Sequence, residues 1–157
     1  MAVAVTYAFD ITAKETLTNA VDSASPIITH AEYNETDRLS STTTPAITKY
    51  AAFLATLTAG ALTINLAALT GTNGIAVDLT GLRIQLLRIK NLGANTMTFA
   101  EGASNGIALV CGSIIVPTGG VFQYFFNDAA PDVAAGDRTI DVTGTAAQTA
   151  EITIVAG

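Results

Sequence analysis

The chain holds one cysteine, Cys111, and one histidine, His30, the two side chains best suited to covalent or metal chemistry. A thiol nucleophile needs a base within hydrogen-bond reach, and only His30 offers an imidazole. His30 lies in a stretch without periodicity, whereas Cys111 sits in "IALVCGSII", an apolar, strand-like setting where a thiol behaves as a small buried hydrophobe. The pair is expected to be inert, and the chain is read as a non-enzyme. Zinc takes three or four nitrogen and sulfur ligands, more than one Cys and one His supply, and a single cysteine makes no internal disulfide. Asp128, Asp132 and Asp137 fall together in "NDAAPDVAAGD", and hard cations take several oxygens. The spacing is not that of an EF-hand, and Asp beside Pro or Gly is ordinary turn chemistry, so the sequence leaves cation binding there open. "GTNG" has neither phosphate-loop nor dinucleotide spacing and reads as a turn. Paired carboxylates of glycoside hydrolases work among aromatic sugar platforms, and this chain has no Trp. No cofactor is expected.

Binding is the remaining chemistry. "LRIQLLRIKN", residues 82 to 91, carries Arg83, Arg88 and Lys90, three of only seven Lys and Arg residues. Its apolar positions run Leu82, Ile84, Leu86 and then slip one phase to Leu87 and Ile89. Glycines at 81 and 93 leave a helix barely three turns, so a strand is expected, with one extra residue at Leu86-Leu87 absorbed as a β-bulge. Arg83, Gln85, Arg88 and Lys90 then share a polar face. Arg83, Arg88 and Lys90 are candidates for a protein-docking face; the plainer reading is a solvated strand face whose charges deter aggregation. Nucleic acid is not expected, because no aromatic residue interleaves with the charges and the net charge is −6.

The elements that must position these residues follow from composition and pattern. At 16.0 kDa the chain is the size of one domain. Charged residues are 13%, about half the usual share, and Ala and Thr make up much of the rest. No uninterrupted apolar run is long enough to span a membrane, and "MAVAVTYAFD" has neither the basic nor the long apolar part of a secretory signal. So weakly charged a surface suits a chain that meets partners, including copies of itself.

Residues 10 to 46 are acidic, with little periodicity. Thr12-Ala13-Lys14-Glu15 has capping-box spacing, which predicts a short helix over about 13 to 22. "LSSTTTP" reads as extended chain, since Ser and Thr compete for backbone hydrogen bonds and Pro45 disfavours helix at Thr44. The span 1–46 is therefore an N-terminal strand followed by an irregular arm, with Tyr33 and Tyr50 as candidate arm contacts because aromatics anchor interfaces. From 47 to 157 period-2 strands recur between turn signals: "ALTINLAAL", "IAVDL", "TMTF", "VFQYFF", "TIDVT" and "EITIV". Val3, Val5, Tyr7 and Phe9 are in phase likewise. The fold class is all-β: a sandwich, jelly roll or barrel.

The succession "TPAITK", "LTINLAALTG" with "AVDLTGLRIQLLRIKN", "TFAEGASNG" and "FFNDAAPDVAAGDRTIDVTGT" closing with "EITIVAG" resembles a family of small tailed-bacteriophage virion proteins of the decoration or cement type. The resemblance covers Pro45 to Gly157. It implies a jelly-roll-like sandwich, made in the host cytoplasm, that binds the major capsid protein on the outer surface of an icosahedral shell. It also implies a homo-oligomer, a trimer before a dimer, with no catalytic residues to carry over. A tail or head-completion protein of the same fold and a β-sandwich carbohydrate-binding module are the alternatives; the second needs exposed aromatic platforms, whereas the Phe and Tyr residues here mostly fall in core phase.

Overall fold

The computed structural model describes residues 3–11, 14–16, 27–29, 33–72, 74–109, 111–125 and 131–157, and among them every regular element is a strand. The N-terminal part is a ribbon. Strand β1 (Ala4–Ile11) pairs antiparallel with β4 (Tyr33–Ser40), and β2 (Lys14–Thr16) with β3 (Ile27–Thr29). Strand β2 therefore replaces the helix expected from the capping-box spacing; 17–22 lie outside the described residues. Pairing satisfies the backbone of a polar segment without an apolar face, which is why strand structure in 33–40 left no periodic trace. The extended "LSSTTTP" ends in a local hydrogen-bonded turn: the Ser40 N–H donates to Thr43 Oγ1 at 2.8 Å and the Ile47 N–H to Ser40 O at 2.9 Å.

The remaining strands are β5 (Lys49–Thr56), β6 (Ala61–Asn65), the short hairpin β7 (Leu69–Thr70) with β8 (Ala76–Val77), β9 (Ile84–Asn91), β10 (Met97–Glu101), β11 (Ser113–Val116), β12 (Val121–Phe125), β13 (Thr139–Thr143) and β14 (Thr149–Ala156). They form a β-sandwich of two four-stranded antiparallel sheets, ordered β12-β9-β14-β5 and β11-β10-β13-β6. Leaving aside the β7–β8 hairpin, the pairing is nested: the first sandwich strand pairs with the last (β5 with β14), β6 with β13, β9 with β12, and β10 with β11. Contacts of β14 with β9 and of β13 with β10 complete the sheets.

Alternation decides what is buried, because successive side chains in a strand point to opposite faces. Ala51, Ala55, Leu87, Ile89, Ile152 and Ile154 from one sheet meet Ile64, Met97, Phe99, Ile114, Ile140 and Val142 from the other in one core. Thr63, Asn65, Thr143 and Ile115, in the opposite phase, are exposed. At one end the core is closed by a polar latch. Buried Asn91 donates through Nδ2 to the carbonyls of Asn95, Val116 and Pro117 at 2.8, 2.9 and 3.2 Å, and its Oδ1 accepts the Gly93 N–H at 2.8 Å. Gln148 Nε2 donates to the same Asn95 carbonyl at 2.6 Å. A Cβ on Gly93 would lie 2.5 Å from that Nε2, so a side chain there would displace Gln148 from the latch.

A second, smaller cluster lies on the outer face of the first sheet: Leu39, Ile47, Leu86 and Val155 are buried, with Val3, Val5, Tyr7 and Phe125 packed around them. The Tyr7 and Phe125 rings are 4.1 Å apart between centroids. The base of the ribbon thus covers one end of that face.

Candidate interaction surface

The outer face of β12-β9-β14-β5 is set by register. Leu54, Glu151, Lys90 and Val121 stand opposite one another across the four strands; Ala52, Thr153, Arg88 and Gln123 form the next row; Tyr50, Val155, Leu86 and Phe125 form the third. Of these, Val155, Leu86 and Phe125 in the third row pack against the ribbon base, while Tyr50 at the edge is 38% exposed. The other two rows are bare, with Leu54 64% and Val121 53% exposed at opposite edges and two cations and one carboxylate between them. Arg88 Nη1 stands 3.9 Å from Glu151 Oε2, too long for a hydrogen bond, and Lys90 is the direct cross-strand neighbour of the same carboxylate. The face is therefore apolar at its edges and weakly positive in the middle.

A bulge produces this arrangement, one position earlier than expected. Val155 pairs with Leu86 and Ala156 with Ile84, so Gln85 is the extra residue. Gln85 is consequently buried rather than on the polar face, and Leu86 takes the outward place beneath the ribbon. Arg83 lies beyond the bulge. Its backbone exchanges hydrogen bonds with Gly157 at 3.1 Å, and its Nε donates to Asp132 Oδ1 at 2.8 Å. The structure thus joins Arg88 and Lys90 on one bare face and commits Arg83 to the 131–137 loop.

Tyr50, the third-row residue on edge strand β5, lines a groove of about 680 Å³ between the ribbon base and the β7–β8 hairpin, with Val3, Val5, Lys49, Ile75 and Val77. Tyr33 opposes Ile11 at the far end of β1–β4; its side chain lies outside the described residues. So do His30 and Asp128. Asp137 closes a tight turn with Ala134, each N–H donating to the other's carbonyl at 3.0 and 3.1 Å. Among the described residues no group of three or more His, Cys, Asp or Glu is disposed to hold a metal ion. Cys111 departs from expectation: it is exposed, because the chain turns at Gly112 with φ of 66° before β11 begins.

The opposite outer face, on β11-β10-β13-β6, carries Thr63, Asn65, Thr98, Ala100 and Thr143, with Ile115 67% exposed on the edge strand. Its charge is Asp141, which accepts the Thr63 hydroxyl at 2.6 Å and the Ala103 N–H at 2.8 Å. These bonds, the hydroxyl first, hold its carboxyl below the ordinary 3.8. Asp78 is lowered by Thr80 in the same way, within a turn.

Periodicity gave no hint of the latch at Asn91, because "NLGAN" reads as a turn whatever Asn91 bonds to. Leu54 and Val121 had a signal, lying out of phase with the core residues Phe53 and Phe122. Comparison with family models, with curated proteins and with solved structures finds no match to the chain.

Proposed function

We propose that the protein is a structural virion component that binds the outer surface of an icosahedral phage capsid and stabilises it as a decoration or cement protein, without catalysis. Its sandwich is then a jelly roll, an architecture of eight strands in two sheets that viral shells use repeatedly. The observation that carries the reading is the nested pairing of first strand with last, second with seventh, third with sixth and fourth with fifth, together with the succession of segments from Pro45 to Gly157. The ribbon adds reach: eight paired residues at about 3.4 Å each extend some 27 Å, and the described contacts of the ribbon with the sandwich lie at its base. A sparsely charged body with such an arm is suited to burying surface by adhesion. A protein that binds only the mature shell stabilises it by mass action, by RT ln(1 + [L]/Kd) per site.

Copy number in the purified particle, by quantitative mass spectrometry against the major capsid protein, tests the reading. A ratio within a few-fold of one supports a shell-wide cement. A handful of copies moves the protein to the tail or neck, and none removes it from the virion.

A further inference from the structure

The charges of this chain are unevenly placed. From residue 10 to 40 the sequence holds Asp10, Glu15, Asp22, Glu32, Glu35 and Asp37 against Lys14 and Arg38, so the arm carries −4 of the net charge of −6 and the rest of the chain −2. On the sandwich, Arg88 and Lys90 stand together on the bare rows of the outer face, with Glu151 their single acidic neighbour there. That face already accepts a ribbon, since Leu86 and Val155 of its third row are buried in a cluster with Val3, Val5, Tyr7 and Leu39 of the chain's own ribbon base. The uncovered remainder continues from this contact and carries exposed Leu54 and Val121 at its edges.

We propose that the bare rows are the docking site for the acidic ribbon of a second copy of this chain. The contact is heterologous, ribbon of one copy on sheet of the next, so closure produces a ring and not a face-to-face pair. Attraction between ribbon carboxylates and Arg88 and Lys90 steers the approach and sets the register, while Leu54 and Val121 lose water at the edges. The inference deepens the reading of this face as an interaction surface by naming its partner. It concerns copies of the purified chain alone, so its failure leaves capsid binding by another face untouched.

The test is a charge exchange read by sedimentation velocity. One variant reverses the face, Arg88→Glu with Lys90→Glu; the other reverses the ribbon, Glu35→Lys with Asp37→Lys. Wild type is expected to self-associate at low salt and to weaken as salt rises, because the Debye length shrinks from about 30 Å at 0.01 M to about 10 Å at 0.1 M. Each variant alone should lose association by about tenfold or more, which is about 1.4 kcal/mol. Mixed in equal amounts they should associate again in alternating order, as pairs, even-numbered rings or open chains, since each reversed element then meets its complement. Circular dichroism checks that both fold, and the milder pair Arg88→Gln with Lys90→Gln replaces any variant that does not. A wild type that stays monomeric at high concentration, a face variant that associates as well as wild type, or folded variants that do not recover on mixing would each overturn the proposal.

Discussion

The two Nδ2 hydrogens of Asn91 are shared among three carbonyls and its Oδ1 accepts one N–H, in a fully buried site. Replacing it by Ala leaves the Val116 carbonyl and its neighbours without that donor, and a buried polar group that loses its partner costs about 1–3 kcal/mol. Asn91→Ala should therefore lower the unfolding free energy by about 2–4 kcal/mol. Asn91→Asp should cost more, since a carboxylate cannot donate to carbonyls; urea denaturation measures both. Cys111 predicts the opposite behaviour. Being exposed, it should react fully with a thiol reagent in the native protein, and Cys111→Ser should leave the urea midpoint within about 0.5 kcal/mol of wild type. Asp141 sets a pH dependence. Its folded carboxyl lies below its ordinary 3.8, so its contribution is fully present above the unfolded value and is lost as pH falls through the folded one. Between about pH 5 and pH 3 wild type should lose more stability than Asp141→Asn, and Thr63→Val, which removes the leading hydrogen bond, should flatten the same interval.

At the scale of the strand, β9 shows what the sequence could carry. Leu86, Leu87 and Ile89 with Ile84 told of a phase slip, and a slip in a strand means an extra residue. Which residue bulges depended on something periodicity does not contain: Leu86 faces outward because the ribbon base covers it, so an outward position is apolar and reads as core. The bulge consequently falls at Gln85 and not between the leucines. Deleting Gln85 is expected to give a folded protein, because Ile84 still faces in, Leu86 out, and Leu87 and Ile89 in. Deleting Leu87 turns Arg88 and Lys90 into the core, where unpaired charge is prohibitive, and should abolish folding. Solubility and circular dichroism of the two deletions separate these outcomes. The same limit explains the arm. In β4, "YNETDRLS" carries no alternation, since it is held by backbone pairing to β1 and touches the sandwich through Leu39; its strand character was not written in side chains. Strands that bury one face on the main core, such as β10, β13 and β14, were legible down to the inward residue.

On the scale of the whole molecule the protein has two hydrophobic clusters of unequal size, one between the sheets and one under the ribbon base. They share a sheet: Leu86 and Val155 point out into the small cluster, while Leu87 and Ile154, their neighbours along β9 and β14, point into the large one. Opening the small cluster frees the ribbon without separating the sheets, so the two should open with different free energies, as subunits of structure commonly do. The Tyr7–Phe125 contact at 4.1 Å holds the ribbon end of this boundary. Aromatic pairs contribute about 0.5–1.5 kcal/mol beyond their buried area, and Tyr7 is only partly buried, so Tyr7→Ala should cost the sandwich little and the ribbon much. Limited proteolysis of Tyr7→Ala is expected to cut within residues 1 to 40 several-fold faster than in wild type, while the urea midpoint followed in the 47–157 region stays close to wild type. The reverse result, a lowered midpoint with ribbon cleavage unchanged, would mean that ribbon and sandwich unfold as one cooperative unit. An arm that opens separately can leave its own sheet and be ordered again on another surface without the body losing its fold, and this is the mechanical property that adhesion through a ribbon requires.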